Sequence, residues 1–375
     1  MTRNGNSQNG RALSVAVDCR LMYYRQAGIA SYARRLIQAM AALHVPFLKL
    51  CALLDRRDED TFWVPQNVAV VRTFTPAHHR FEHLTLPGEI ARFSFDVLHS
   101  PDFITCQGRF HKVITIHDLY FLEHPEVMSE EGKRYYSRVH QSARMADLII
   151  TPSRFTRDDV LRLLPDVPAE KVRVVYEAAD EVREEPTTIL LEQRPFVLFV
   201  GTLEPRKNLI TLLRALKRLP SEVRLVIVGA EGWGSSQPEA LARSLGLADR
   251  VTVAGHVSHA ELDALYRAAR VFVMPSLSEG FGLPVLEAMA RGTPVVCSSS
   301  GALPEIADDA ALMHEPLDEA TLAQHIRALW YDDALHDEYA RRGKARAQAF
   351  SWERAARETV AIYCEAAGWR VPALA

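Results

Sequence analysis

Cysteine is scarce in this chain: Cys19, Cys51, Cys106, Cys297 and Cys364 are odd in number and far apart among 375 residues. None forms the close pairs that zinc or dithiol sites use, so all five read as reduced core thiols. Long apolar runs are missing too. Stretches such as 196–200 stop after a strand's length, short of the roughly 18 to 20 residues a membrane-spanning helix needs. Residues 1–11 are polar and lack the apolar segment of a signal peptide, so a disordered tail over 1–12 of a cytoplasmic protein is expected. Neither charge is in excess: 44 Lys+Arg stand against 47 Asp+Glu with no block of one sign, which removes the electrostatic footprint of a nucleic-acid binder. No P-loop, metalloprotease helix or serine-nucleophile elbow occurs, and Gly229-Ala-Glu-Gly232-Trp-Gly234 lacks the dinucleotide spacing. Asp58-Glu-Asp60 matches a metal-binding Asp-x-Asp but sits in the charged run 55–60, which reads as a solvated loop, so no metal site is expected.

What the sequence does contain is the composition of a soluble globular protein, 48% hydrophobic and 24% charged, long enough for about two domains at roughly 150 residues each. Short β-branched runs alternate with amphipathic helical stretches, the pattern of parallel sheets covered on both faces. Strands are expected at 13–17, 47–54, 68–71, 96–99, 112–116, 148–151 and 172–175, with helices at 29–43, 130–145 and 154–163. The Glu-rich stretch 178–194, containing Pro186, breaks the rhythm. A second series follows, with strands at 196–200, 224–228, 251–254, 271–274 and 295–297 and helices at 209–218, 239–244, 260–268 and 284–291. Further helices at 319–331 and 334–350 precede one at 351–366, for which Ser351 is a good N-cap. The expectation is an α/β chain of two doubly wound domains, 13–185 and 186–350, with a packed helix rather than a tail in 351–375.

Four segments could hold chemistry. Residues 275–296 read as strand, glycine loop, helix and strand: Gly280 and Gly282 permit close backbone approach, and Pro284 suits a first helical turn. The helix start offers free N–H groups to a phosphate or to sugar oxygens. Glu279 and Glu287, eight residues apart, flank it, and the start of the helix is expected to bring both toward one pocket. Carboxylates accept bonds from vicinal hydroxyls, which suits sugar rings; taken alone, a solvated loop residue and a first-turn acid explain the pair as well. Gly201-Thr-Leu-Glu-Pro-Arg206-Lys207-Asn208 places two cations at a strand's carboxyl end, where open α/β sheets bind ligands, although adjacent basic residues are commonly only surface. Gly28 opens the first helix and could offer its N–H to a phosphate, and turns need glycine in any case. His117-Asp118 follows a strand and suits acid–base or orienting work, or a polar strand cap.

Together these pieces resemble the retaining glycosyltransferases of family 4, of GT-B fold. The resemblance rests on Glu279 to Glu287 as an E-x7-E motif within Ser-Glu-Gly-Phe-Gly-Leu-Pro-Val-Leu-Glu-Ala-Met-Ala, on Gly201 to Asn208, and on Gly28-Ile-Ala-Ser-Tyr32. It implies two Rossmann-like domains facing across a cleft, with the last helix crossing back to the first. It implies that Arg206 and Lys207 bind the donor's diphosphate and that Glu287 holds the ribose. Glu279 would hold the transferred sugar together with the N–H groups of Phe281, Gly282 and Leu283. His117 would stand beside that sugar, with Asp118 orienting or meeting the acceptor, Gly28 over the phosphates, and Gly255, His256 and Val257 seating the base. The reaction implied needs no cofactor or metal: a hexose leaves a nucleoside diphosphate through an oxocarbenium-like state and is captured on the same face by a hydroxyl of a saccharide or lipid-linked saccharide. With Asp18-x-Arg20 and His117-Asp118-Leu119, the chain is similar to bacterial mannosyltransferases of surface polysaccharides, which favours GDP-mannose. Such enzymes touch the inner membrane, making Arg34, Arg35, Tyr23 and Tyr24 candidates for peripheral contact. A non-catalytic nucleotide-sugar scaffold and a GT-B epimerase are the alternatives.

Overall fold

The computed structural model describes residues 11–24, 27–128, 130–180, 195–232, 234 and 237–370. Seven strands form the first sheet: β1 (Leu13–Asp18), β2 (Leu48–Asp55), β3 (Ala69–Thr73), β4 (Val97–Ser100), β5 (His111–Thr115), β6 (Leu148–Thr151) and β7 (Val172–Val174). Six form the second: β8 (Val197–Val200), β9 (Leu225–Val228), β10 (Val251–Gly255), β11 (Val271–Met274), β12 (Val295–Ser298) and β13 (Ala311–His314). Every pairing is parallel, in the orders β3-β2-β1-β4-β5-β6-β7 and β10-β9-β8-β11-β12-β13. Both sheets therefore reverse direction once, between β1 and β4 and between β8 and β11, and such reversals open a crevice at the strands' carboxyl ends.

Runs such as Val197-Leu-Phe-Val200 and Val271-Phe-Val-Met274 are buried along their whole length because helices cover both faces. The helix Ala27–Ala42 turns Ala30, Ala33, Leu36, Ile37 and Met40 inward at helical spacing. Burying a side chain the size of Leu36 contributes about 1.5 to 3 kcal/mol. The helix Trp352–Ala366 begins at Ser351, whose Oγ accepts the Arg354 N–H at 3.1 Å. Its Ala355, Ala356, Val360, Ile362 and Tyr363 enter the core of the first sheet, although the chain reaches it from the second. All five cysteines are buried and free.

The sequence reading needs amendment in several places. Strand β13 went unseen because Ala-Leu-Met-His has no β-branched residue. The helix Glu82–Ile90 contains Pro87 and Gly88, which hide its period. The expected helix 130–145 is two, Glu130–Tyr136 and Val139–Met145, separated by a turn at Ser137 and Arg138. A short helix, Leu303–Ala307, follows β12. The expected tail over 1–12 lies outside the described residues except for its last two, and the expected boundary at 185/186 falls in 181–194, also outside them. No helix among the described residues is long and apolar enough to cross a membrane.

Candidate active site

The reversal between β8 and β11 assembles the charged centre. After β8 the chain makes one tight turn, Pro205–Lys207, and Asn208 then takes a left-handed conformation (φ +56°) that starts the helix Leu209–Lys217. Asn208 anchors this turn by donating to the carbonyls of Pro275 at 3.0 Å and Pro316 at 2.7 Å. The Leu277 N–H donates to the Arg206 carbonyl at 2.8 Å, which locks the loop after β11 to the loop after β8.

The side chains then converge. Lys207 Nζ lies 2.7 Å from Glu279 Oε1, with both residues buried. Arg206 reaches Glu279 Oε2 at 3.4 Å, Glu204 Oε1 at 2.8 Å and Asp118 Oδ2 of the first domain at 3.9 Å, and it donates to the Ser278 carbonyl at 3.0 Å. Its guanidinium also stands 5.7 Å from the Tyr120 ring. Burial alone would raise the Glu279 carboxyl, but the Lys207 and Arg206 charges hold it below its ordinary value. Burial would weaken the Arg206 cation, and Glu279, Asp118 and Glu204 reverse that. Glu204 was quoted in its motif but given no role in the sequence reading.

Next to this centre, Gly282 (φ +98°) opens the helix Leu283–Ala290 with Pro284 in its first turn, leaving the N–H groups around Phe281, Gly282 and Leu283 at the helix's positive end. A side chain at Gly282 would meet Leu303 Cδ2 at 2.5 Å. Phe281 is buried, edge-on to Phe350 at 6.0 Å.

Glu287 goes elsewhere. Its Oε2 accepts the Tyr266 hydroxyl at 2.8 Å, and it lines a cavity of about 670 Å³ with Arg34, Arg35, Asp180, Arg291 and Trp352, a wall that does not include Glu279. The single pocket expected from the spacing is therefore two parts of one cleft. Burial raises the Glu287 carboxyl despite the Tyr266 bond and the Arg291 charge. Arg34 and Arg35, candidates for membrane contact, line this cavity, and Arg35 pairs with Asp180. Tyr23 and Tyr24 are exposed, with the Arg57 guanidinium 4.2 Å and 5.6 Å from their rings. A second cavity of about 630 Å³ is lined by Arg34, Arg57, Asp58, Asp60, His256 and His259. Gly255 ends β10 with φ +67°, His256 after it is exposed, and Val257 packs on the core. Gly28 lies exposed in the first turn of its helix, with open space where a Cβ would stand. No group of three or more His, Cys, Asp or Glu among the described residues is arranged to hold a metal ion.

His117 is more constrained than its position suggested. Nδ1 lies 3.1 Å from Glu177 Oε1 and Nε2 lies 2.9 Å from the Pro101 carbonyl, two acceptors that only an imidazolium satisfies together. Burial pulls this imidazole down, but the Glu177 hydrogen bond and charge, then the Pro101 carbonyl, raise it above its ordinary 6.5. Tyr32 stands edge-on at 4.8 Å, and its hydroxyl continues through Thr115 Oγ1 (3.2 Å) and His99 (2.9 Å) to the Tyr363 hydroxyl (2.6 Å) on the last helix. The sequence signal for Glu177 was a carboxylate just past the last strand of the first sheet, on the same edge as His117. A raised His contributes fully below 6.5 and loses its contribution as pH rises through the raised value. Melting curves of wild type and Glu177→Gln between about pH 5.5 and pH 9 are therefore expected to differ most at the acid end and to converge on raising the pH. A constant gap would show the pair uncharged.

The domains also meet through backbone groups. The Gly280 carbonyl accepts the hydroxyls of Ser153 at 2.6 Å and Thr156 at 3.0 Å, and Thr156 also donates to the His117 carbonyl at 3.2 Å. Glu305 of the second domain receives the N–H groups of Arg154 (2.9 Å) and Phe155 (3.1 Å) and the Tyr176 hydroxyl (2.7 Å).

The family description "Glycosyltransferase Family 4" matches residues 27–183, and "Glycosyl transferases group 1" matches 182–346. The "O-antigen chain mannosyltransferase B" of Escherichia coli is 35% identical over 281 residues, 71% of this chain and 74% of that protein. Sucrose-phosphate synthase from Thermosynechococcus elongatus superposes with a TM-score of 0.76 at 25% identity, covering 94% of this chain and 98% of that one. Anabaena HepE, solved in complex with UDP and glucose, gives 0.71 at 20%, covering 94% and 100%. With two parallel-sheet domains closed on a cation and carboxylate centre at a strand reversal, the chain belongs to glycosyltransferase family 4 and has the GT-B fold.

Proposed function

We propose that this glycosyltransferase moves a hexose, with mannose favoured, from a nucleoside-diphosphate sugar to a hydroxyl of a saccharide or lipid-linked saccharide, retaining the anomeric configuration and without a metal. The observation that carries the reading is the meeting of Arg206, Lys207 and Glu279 at the β8/β11 reversal beside a helix N-terminus. The two cations take the diphosphate, and Glu279 with the N–H groups at Phe281, Gly282 and Leu283 takes the sugar. Glu287 takes the ribose hydroxyls, Gly255, His256 and Val257 seat the base, and Gly28 faces the phosphates. His117, fixed by Glu177 and Pro101, stands by the sugar, with Asp118 beside Arg206.

In this scheme the bond from the anomeric carbon to phosphate breaks as Arg206 and Lys207 absorb the leaving charge. The acceptor oxygen bonds to the same face, and its proton passes to the departing phosphate oxygen. Both His117 nitrogens and the Glu279 carboxylate are already engaged, which supports that destination. Catalysis is then mostly positioning and electrostatics. Mannose is favoured by the named activity of the Escherichia coli relative. Contact with a membrane surface, where a lipid-linked acceptor would be met, is assigned in this reading to Tyr23 and Tyr24, both exposed, with Arg34 and Arg35.

The test is a thermal-shift screen against GDP, UDP, ADP and dTDP and their sugars with no metal added. GDP and GDP-mannose are expected to stabilise; at a hundredfold excess over Kd the gain is about 2.7 kcal/mol. No shift with any nucleotide would overturn the donor site, and a shift with UDP alone would overturn the guanine assignment. Glu287→Ala is expected to weaken nucleoside diphosphate binding by on the order of tenfold, because the ribose loses a charged acceptor. Unchanged affinity by calorimetry would remove Glu287 from that role.

A further inference from the structure

The first sheet has its own strand reversal, and the chain leaving β1 and β4 closes a recess there that the proposed donor site does not use. Asp18 and the Ser100-Pro101-Asp102 turn line it, with His78 and Glu82 from the segment after β3. Its volume is about 10 Å³, room for about one hydroxyl-sized group. Pro101 joins it to the transfer centre, since its carbonyl accepts from His117 Nε2 at 2.9 Å.

Three observations point to a ligand. Ser100 is 2% exposed, yet its Oγ has no hydrogen-bond partner, and buried hydroxyls are seldom left so. His78 has an unengaged nitrogen. Its Nε2 lies 2.9 Å from Asp102 Oδ2, which also accepts the Tyr135 hydroxyl at 2.6 Å, so Nε2–H is donated and Nδ1 has no hydrogen-bond partner among the described residues. The backbone is set for this: His78 is left-handed (φ +63°), its N–H is held by Glu82 Oε2 at 3.0 Å, and its ring lies 4.1 Å from that of Tyr135. The charge, finally, is selective. Asp18, Glu82 and Asp102 line the recess and no Lys or Arg does among the described residues. The nearby Arg20 is taken up by Asp18, Glu82 and the Thr75 carbonyl. Of the other cations close by, Arg138 donates to the Arg80 carbonyl, and Arg80 stands over Phe81.

We propose that this recess seats a hydroxyl of the acceptor, with His78 Nδ1 and Ser100 Oγ as its partners, and that it selects a neutral sugar over a phosphorylated one. The proposal rests on the glycosyltransferase reading above. Arg20 offsets one of the three carboxylate charges, so the wall keeps a carboxylate excess that disfavours an anionic group, whereas a hydroxyl can bond to His78 Nδ1 and take either role with Ser100. The sucrose-phosphate synthase that this fold resembles is named for a phosphorylated product, so acceptor charge is a property on which members of the fold differ.

The test uses ligand-observed NMR on the full chain, with and without a saturating nucleoside diphosphate, and two probes: methyl α-D-mannopyranoside and D-mannose 1-phosphate. Wild type is expected to bind the glycoside and not the phosphate. His78→Ala, and Ser100→Val, which fills the recess, are each expected to weaken glycoside binding on the order of tenfold while nucleotide affinity by calorimetry stays unchanged. Wild-type glycoside binding in folded His78→Ala, or tighter binding of mannose 1-phosphate than of the glycoside, would overturn the proposal. So would absence of glycoside binding while the nucleotide binds. Absence of nucleotide binding overturns the donor reading instead, and the probes without nucleotide still report on the recess.

Discussion

Lys207→Ala is expected to reduce turnover on the order of 100-fold or more, the scale on which a preorganised charge contact to a leaving group contributes. The effect has two sources that can be separated. Lys207 sits 2.7 Å from Glu279 Oε1 with both groups buried, so its removal leaves a buried carboxylate with Arg206, 3.4 Å away, as its remaining cation. Breaking a buried pair on one side costs about 3 to 5 kcal/mol, so the single variant should melt lower as well as turn over more slowly. Glu279→Gln combined with Lys207→Met removes both charges at similar volume and is expected to recover much of the melting temperature and none of the turnover. Recovery of turnover would show that the lysine acts only by neutralising Glu279. Near-normal turnover in a folded Lys207→Ala would remove the pair from the transfer centre.

That pair also marks how far the sequence reached. Arg206, Lys207 and Glu279 were legible because each stands where a β-branched run gives way to a helix, a place set by local pattern, and parallel topology gathers such places at one edge. The strands were legible for the same reason, and β13 escaped because four residues without a β-branched member give no pattern to read. Glu287 shows the limit of spacing: eight residues fix where it sits on the helix, but its partner Tyr266 comes from the preceding helix and turns it toward another part of the cleft. Contacts with no local signature were out of reach. Glu177 lies 60 residues from His117, and Ser153, Thr156 and Glu305 act on the opposite domain. The position of Glu177 past the last strand of the first sheet hints at its edge but not at its partner, and the contacts of Ser153, Thr156 and Glu305 exist only once the two sheets have been brought face to face.

Gly280→Ala tests that meeting of domains directly. Gly280 needs no unusual backbone angle; what it needs is space, because a Cβ there would lie 1.9 Å from the His117 carbonyl oxygen and 3.0 Å from Asp118 Cβ. Neither obstacle is the flexible end of a side chain, so the two loops would have to separate by more than 1 Å, on the scale of ordinary contact distances. The same separation would stretch the bonds from Ser153 and Thr156 to the Gly280 carbonyl and carry Glu279 and the Phe281 and Gly282 N–H groups away from His117. A displacement of about 1 Å at a reacting centre costs on the order of 100-fold in rate. Turnover is therefore expected to fall by about that factor, while each domain's core, and the bond between Glu287 and Tyr266, are left intact. The distinguishing measurement pairs kinetics with calorimetry: a large loss in kcat, nucleoside diphosphate affinity within a few-fold of wild type, and a larger radius of gyration in solution scattering. Wild-type kcat would mean that the closed contact between Gly280 and His117 is not the arrangement in which the sugar is transferred.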